Sequence, residues 1–149
     1  MASVIIFDGF TVRADRIVCD MRLSDARFAY TDSPAMLRAG FIEAVCRRFP
    51  QIEMHACVND HGSCFGDCMG RTSLPHVIEH MVIALQAEAE MREAAARPMA
   101  VKPMTYVGKT SWTDKSRLTA RIEVNYRDDI TAFRAFRDAG LLVDSIVLK

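Results

Sequence analysis

Residues 16–22 read Arg16-Ile17-Val18-Cys19-Asp20-Met21-Arg22, and residues 121–127 read Arg121-Ile122-Glu123-Val124-Asn125-Tyr126-Arg127. Both alternate apolar and polar side chains, the period of a strand with one face on a core. A helical pattern follows each. After the first, Ser33 is placed as an N-cap and Pro34 at the first helical position. Met36, Leu37, Phe41, Val45 and Phe49 then form an apolar face, and Pro50 ends the helix. After the second, which extends back to Arg117 with Leu118, Ala120, Ile122, Val124 and Tyr126 on one face, Asp128-Asp129 caps a last helix. Its apolar residues include Ile130, Phe133, Phe136 and Leu141. Ala39-Gly40 and Ala139-Gly140 repeat the likeness. A strand–helix unit used twice predicts an α/β (α+β) protein, a two-layer sandwich of a mixed sheet with about three helices.

The rest of the chain fits around that frame. Residues 1–7 read as a first strand, without the cationic start of a signal peptide. Residues 51–58 (QIEMHACV) read as a strand, and residues 59–72, rich in Gly, Asp, Asn and Ser, as a loop. Ser73-Leu74-Pro75 starts a helix that runs through Ala95, with a polar second half expected to face water. Residues 97–103 read as a loop and 104–107 (MTYV) as a short strand.

At 149 residues, with no linker or low-complexity stretch, one domain over residues 1–149 is expected. The 19 basic and 19 acidic residues cancel, so composition argues for neither nucleic acid nor an anionic membrane as partner. No apolar run reaches the roughly 18–20 residues that span a bilayer. Five cysteines, an odd number, fit reduced thiols and a cytoplasmic location better than a disulfide framework. A homo-oligomer is compatible with these data, which fix no stoichiometry.

All four histidines, at 55, 61, 76 and 80, and the cysteines 57, 64 and 68 fall in one short segment. Imidazole and thiolate are the ligands that zinc favours. His76-Val77-Ile78-Glu79-His80 places two imidazoles four apart, one turn apart on one helix face. Glu79 leans over the same edge, where a carboxylate can take a proton from a metal-activated water. His-x-x-Glu-His is the inverted zinc-protease helix motif. His76 and His80 are therefore candidate zinc ligands and Glu79 the candidate general base. A third ligand is expected from the preceding strand, Cys57 first and His55 second, because residues two apart on a strand share a face. His61, Cys64 and Cys68 in the loop rank lower, and Glu123 and Asp129 are oxygen alternatives. Competing readings are a packed histidine cluster without metal and a closed structural knot of Cys57, Cys64, Cys68 and a histidine. Cys19 and Cys46 sit in core patterns. Trp112 lies in a polar stretch, where it lines a site or, better, covers the core edge.

The run PQIEMHAC, a Gly/Asp-rich loop, and then GRTSLPHVIEHMVIALQ resembles the N-terminal domain of cyanophycin synthetases. Gly108-Lys109-Thr110-Ser111 and RIEVNYRDD continue the likeness, which spans roughly residues 34–147. The resemblance implies a small α/β module, attached in the family to ligase domains that have no counterpart here. It also implies a metal-dependent hydrolase that cuts the Asp-Arg storage polymer. His76, Glu79 and His80 match the family motif, and His55 and Cys57 match its upstream strand. The chain departs from the family pattern at Pro75, Ile83, Ala84, Ser111 and Asn125, which bears on specificity. The expected function is a zinc-dependent hydrolase of a peptide or isopeptide bond in cyanophycin-like polymer or dipeptide metabolism. The alternative is a non-catalytic polymer- or protein-binding module with a structural or vestigial metal. Arg117 and Arg121, in a strip of charge, are the candidate substrate-binding residues.

Overall fold

The two look-alike strands lie side by side at the centre of one sheet. In the computed structural model, which describes residues 3–149, β2 (Ile17–Leu23) pairs antiparallel with β6 (Thr119–Val124), Cys19 opposite Ile122. β1 (Ile5–Val12) flanks β2 and β5 (Gly108–Asp114) flanks β6, giving the order β1-β2-β6-β5. The α+β class holds. Every pairing in this sheet is antiparallel, where the sequence reading expects a mixed sheet. β1 and β2 form a hairpin, as do β5 and β6, and a short connection permits only antiparallel pairing; the long-range β2–β6 pairing is antiparallel as well. The strand read at residues 1–7 begins instead at Ile5 and runs to Val12, through an irregularity between Phe7 and Gly9. Its first two residues, Met1 and Ala2, lie outside the described residues.

One face of the sheet carries the core. Ile17, Cys19 and Met21 on β2 and Ala120, Ile122 and Val124 on β6 are buried there, beneath the helices. The other face carries ion pairs such as Arg121–Asp20 and Arg22–Asp8. The helix expected from Ser33 to Phe49 is two, α1 (Pro34–Ala39) and α2 (Phe41–Arg48). Gly40 separates them at φ +62°, the left-handed conformation that stops a helix and that glycine adopts at no steric cost. Leu37 turns outward at this break and is exposed.

Ser73 caps α3 (Leu74–Ala96) by accepting from the His76 amide at 3.3 Å. The first half of α3 is buried nearly all round, and its second half is half-buried. That second half is not simply solvated: Glu90 accepts hydrogen bonds from the Met104 amide and the Tyr106 hydroxyl, and Glu93 pairs with Arg127. Residues 104–107 are thereby fastened to α3 and form no strand, while the strand proper is the polar β5. Asp128 caps α4 (Asp129–Val147), whose inner face is Ala132, Ala135, Phe136, Ala139 and Val143, with Ile130 and Leu141 exposed. The small residues let α4 lie close to its neighbours, and the edge of Phe7 sits against Gly140.

The expected strand 51–58 is a 3-10 turn, Ile52–Met54, followed by β3 (Ala56–Asn59). The expected loop 59–72 contains β4 (Gly62–Cys64), which pairs with β3, and two 3-10 turns. Asp67 holds this small hairpin by accepting from the amides of Ser63 and Cys64.

Candidate metal centre

Burial of the α3 N-terminal half puts chemistry where apolar side chains would be the cheaper choice. Glu79 is 3% and His80 2% exposed, in a helix otherwise filled there by Val77, Ile78, Met81 and Val82. The one-turn spacing sets His76 and His80 side by side, ring centroids 5.0 Å apart. Phe65, fully buried, stacks on the His80 ring at 4.0 Å and meets His76 edge-on.

Cys57, on β3, brings its Sγ within 3.5 Å of His76 Nε2. Ligand atoms of Cys57, His76 and His80 all lie within 4.8 Å of one another, a group that can hold a metal ion. His80 Nε2 is buried and has no hydrogen-bond partner among the described residues. A buried ring nitrogen without a partner is costly unless something binds it. A thiolate and two imidazoles with one such nitrogen fit a divalent metal.

The other polar atoms of the cluster are engaged. His76 Nδ1 lies 2.8 Å from Thr72 Oγ1, and His80 Nδ1 lies 3.1 Å from His55 Nδ1. The Thr110 hydroxyl donates to Glu79 Oε1 at 2.6 Å, leaving Oε2 3.7 Å from His80 Nε2. β5 approaches α3 this closely because residue 108 is glycine: a Cβ there would stand 2.8 Å from the Glu123 carbonyl and 3.0 Å from Glu79 Cγ.

Desolvation sets the electrostatics. Burial pushes the Glu79 carboxyl up to about 7, against the pull of the Thr110 hydrogen bond. Burial, with His76 and His55 nearby, pushes His80 down to about 3, and burial also lowers His55 and His76. The three rings are therefore neutral at pH 7, the state in which imidazole binds metal. The Cys68 thiol is pushed up to about 12, first by burial and then by Cys57 beside it.

His55, Cys57, His76, Glu79 and His80 line a cavity of about 1090 Å³. Tyr30, Asp32, Arg71, Tyr106 and Lys109 also line it. The residues singled out from the sequence are not all here. His55, Cys57, His76, Glu79 and His80 converge. Arg117 and Arg121 do not line the cavity: Arg117 pairs with Asp114, and Arg121 with Asp20 on the outer sheet face. Cys64 and Cys68 are outside the three-donor group, His61 is exposed, and Glu123 pairs with Lys109 and Arg16. Cys19 is a core residue, and Cys46 donates to Glu53. Trp112 packs against the core edge, 6.0 Å from Tyr30. Thr72 and Thr110 were not singled out as site residues, since a threonine in a loop or on a polar strand looks like any other, although both fall inside runs that carry the family likeness.

An α+β sandwich with a Cys/His/His group and a buried glutamate at the floor of one cavity is the class that fold and site define. The family model of the cyanophycin synthase-like N-terminal domain matches residues 20–148, and the chain belongs to that family. Comparison with curated proteins gives no match. No helix among the described residues is long and apolar enough to cross a membrane.

Proposed function

We propose that this chain is a zinc-dependent hydrolase of a peptide or isopeptide bond, with Cys57, His76 and His80 holding the ion. The observation that carries the reading is the unpartnered, buried His80 Nε2 facing the Glu79 carboxylate at 3.7 Å within a three-donor group. Three protein donors beside an open cavity fit a catalytic site better than a closed structural one. A zinc ion in such a set lowers the pKa of water toward ~7 and polarises a carbonyl oxygen. Glu79 is the general base. Its Oε1 is committed to Thr110, so Oε2 takes the proton from the attacking water and passes it to the leaving nitrogen.

Family membership supports an isopeptide of a cyanophycin-like Asp-Arg polymer, or a dipeptide derived from it, as the substrate. Arg71, Lys109 and Asp32 on the cavity walls offer charges of both signs to such a chain. The test is zinc content of tag-free protein by elemental mass spectrometry, together with hydrolysis of the Asp-Arg polymer and of α- and β-linked aspartyl dipeptides. About one zinc per chain is expected, lost in His76→Ala/His80→Ala. Glu79→Gln is expected to keep the zinc and lose hydrolysis. Full activity in Glu79→Gln overturns the mechanism. Zinc and polymer binding without cleavage in the unaltered protein overturns hydrolysis and leaves a binding module.

A further inference from the structure

Each histidine of the three-donor group has one nitrogen occupied by the protein. We propose that His55 and Thr72 are positioning residues of this centre and not ligands, each fixing one histidine so that its Nε2 faces the ion; this rests on the metal reading above. Thr72 Oγ1 is the acceptor for His76 Nδ1–H at 2.8 Å, which leaves the Nε2 lone pair of His76 pointed at Cys57 Sγ. His55 Nδ1 is the acceptor for His80 Nδ1–H at 3.1 Å, which leaves the lone pair on the unpartnered His80 Nε2. Both assignments give one tautomer, and its hydrogen bond also fixes the ring's rotation.

The two acceptors are themselves held. The Thr72 amide donates to Thr31 Oγ1 at 3.0 Å, and the Thr72 carbonyl accepts from the Thr31 amide at 2.9 Å, with Thr31 1% exposed. The His55 carbonyl accepts from the Phe65 amide at 2.8 Å, and the Phe65 ring stacks on His80. The segment that orients His80 is thus bonded to the residue that walls it. His55 comes from the turn before β3 and Cys57 from β3 itself, so one short segment supplies a ligand and a positioning residue.

The test uses cobalt(II) as probe, titrated into the metal-free full chain against a competing chelator, with the thiolate-to-cobalt charge-transfer band as a second readout. Thr72→Val and His55→Phe are expected to lower cobalt affinity about 10–100-fold while keeping one cobalt per chain and the band. Thr72→Ser and His55→Asn restore an acceptor near the original position and are expected to recover most of that loss. Asparagine is a poor metal ligand, so the His55→Asn result separates orientation from ligation. Loss of stoichiometric binding in His55→Asn, or affinity unchanged in both Val and Phe variants, overturns the assignment. If Val or Phe variants fail to fold, the Ser and Asn variants alone decide it, since both are expected to bind nearly as the parent does. An unaltered chain that takes up no cobalt overturns the metal reading itself, an outcome distinct from either.

Discussion

The Thr110 hydroxyl donates a 2.6 Å hydrogen bond to Glu79 Oε1, joining the edge strand β5 to the histidine-bearing turn of α3. A hydrogen bond to an ionised group contributes about 1.5–3 kcal/mol, more than one to the neutral acid. Thr110→Val keeps the shape and removes the donor. It is expected to destabilise the metal-free protein by that amount at pH 8, and by less at pH 5, where Glu79 is protonated. Urea unfolding at the two pH values measures the difference. An equal loss at both would mean that the bond is insensitive to the charge on Glu79.

Glu79 itself makes the metal-free protein less stable in alkali. Its folded pKa, about 7, is raised from 4.5, so the protonated form favours folding. This contribution is fully present below pH 4.5 and is lost as pH rises through 7. The whole swing is on the order of 3 kcal/mol. Glu79→Gln carries no charge to bury. Metal-free Glu79→Gln is therefore expected to melt above the parent at pH 8, with the gap closing toward pH 5, as thermal scans in chelator would show.

The histidines act in the opposite direction. Folding depresses the pKa values of His80, His76 and His55, chiefly by burial, so their neutral forms favour the native state. That stability is present above pH 6.5 and is lost as pH falls toward the folded value of His80, about 3. The expected outcome is an acid limb in the metal-free stability profile, beginning near pH 6.5. His80→Gln should flatten it, and an unchanged limb in that variant would assign the acid sensitivity elsewhere.

Phe65 is fully buried, stacked on the His80 ring and edge-on to His76. Phe65→Ala is expected to cost about 3–5 kcal/mol by cavity formation. It should also weaken zinc binding, because His80 loses the surface that limits its rotation. Phe65→Leu fills most of the volume, so its stability should recover further than its zinc affinity. Chemical denaturation and zinc competition on the same samples separate the two effects.

β2 and β6 were legible as strands because they obey a period of two, with Ile17, Cys19 and Met21 buried on one and Ala120, Ile122 and Val124 on the other; their pairing at the centre of the sheet was not. Helix spacing made legible that His76, Glu79 and His80 lie together; that Cys57 packs against them comes from the fold, since strand spacing gives only its face. β5 was missed because Gly-Lys-Thr-Ser-Trp-Thr-Asp is polar, and an edge strand needs few apolar residues. The split at Gly40 was hidden because both halves share one apolar rhythm. Spacing makes His55 the second choice for a third ligand, but it does not give the 3.1 Å contact between its Nδ1 and His80 Nδ1. Arg117 and Arg121 stood out as charge, and charge alone does not say which side of a sheet is the wet one.

Cys57 and the two histidines belong to different pieces of the fold: Cys57 to the β3–β4 hairpin, outside the main sheet, and the histidines to α3. An ion bridging residues 57 and 76 closes a loop across 19 positions of chain, as a disulfide would. The ligand contributes RT ln(1 + [L]/Kd) to the stability of whatever must be folded to bind it. A metal ion bound across the two pieces would therefore make the hairpin firmer. Amide exchange in residues 56–64 then becomes a gauge of metal loading, readable without any substrate.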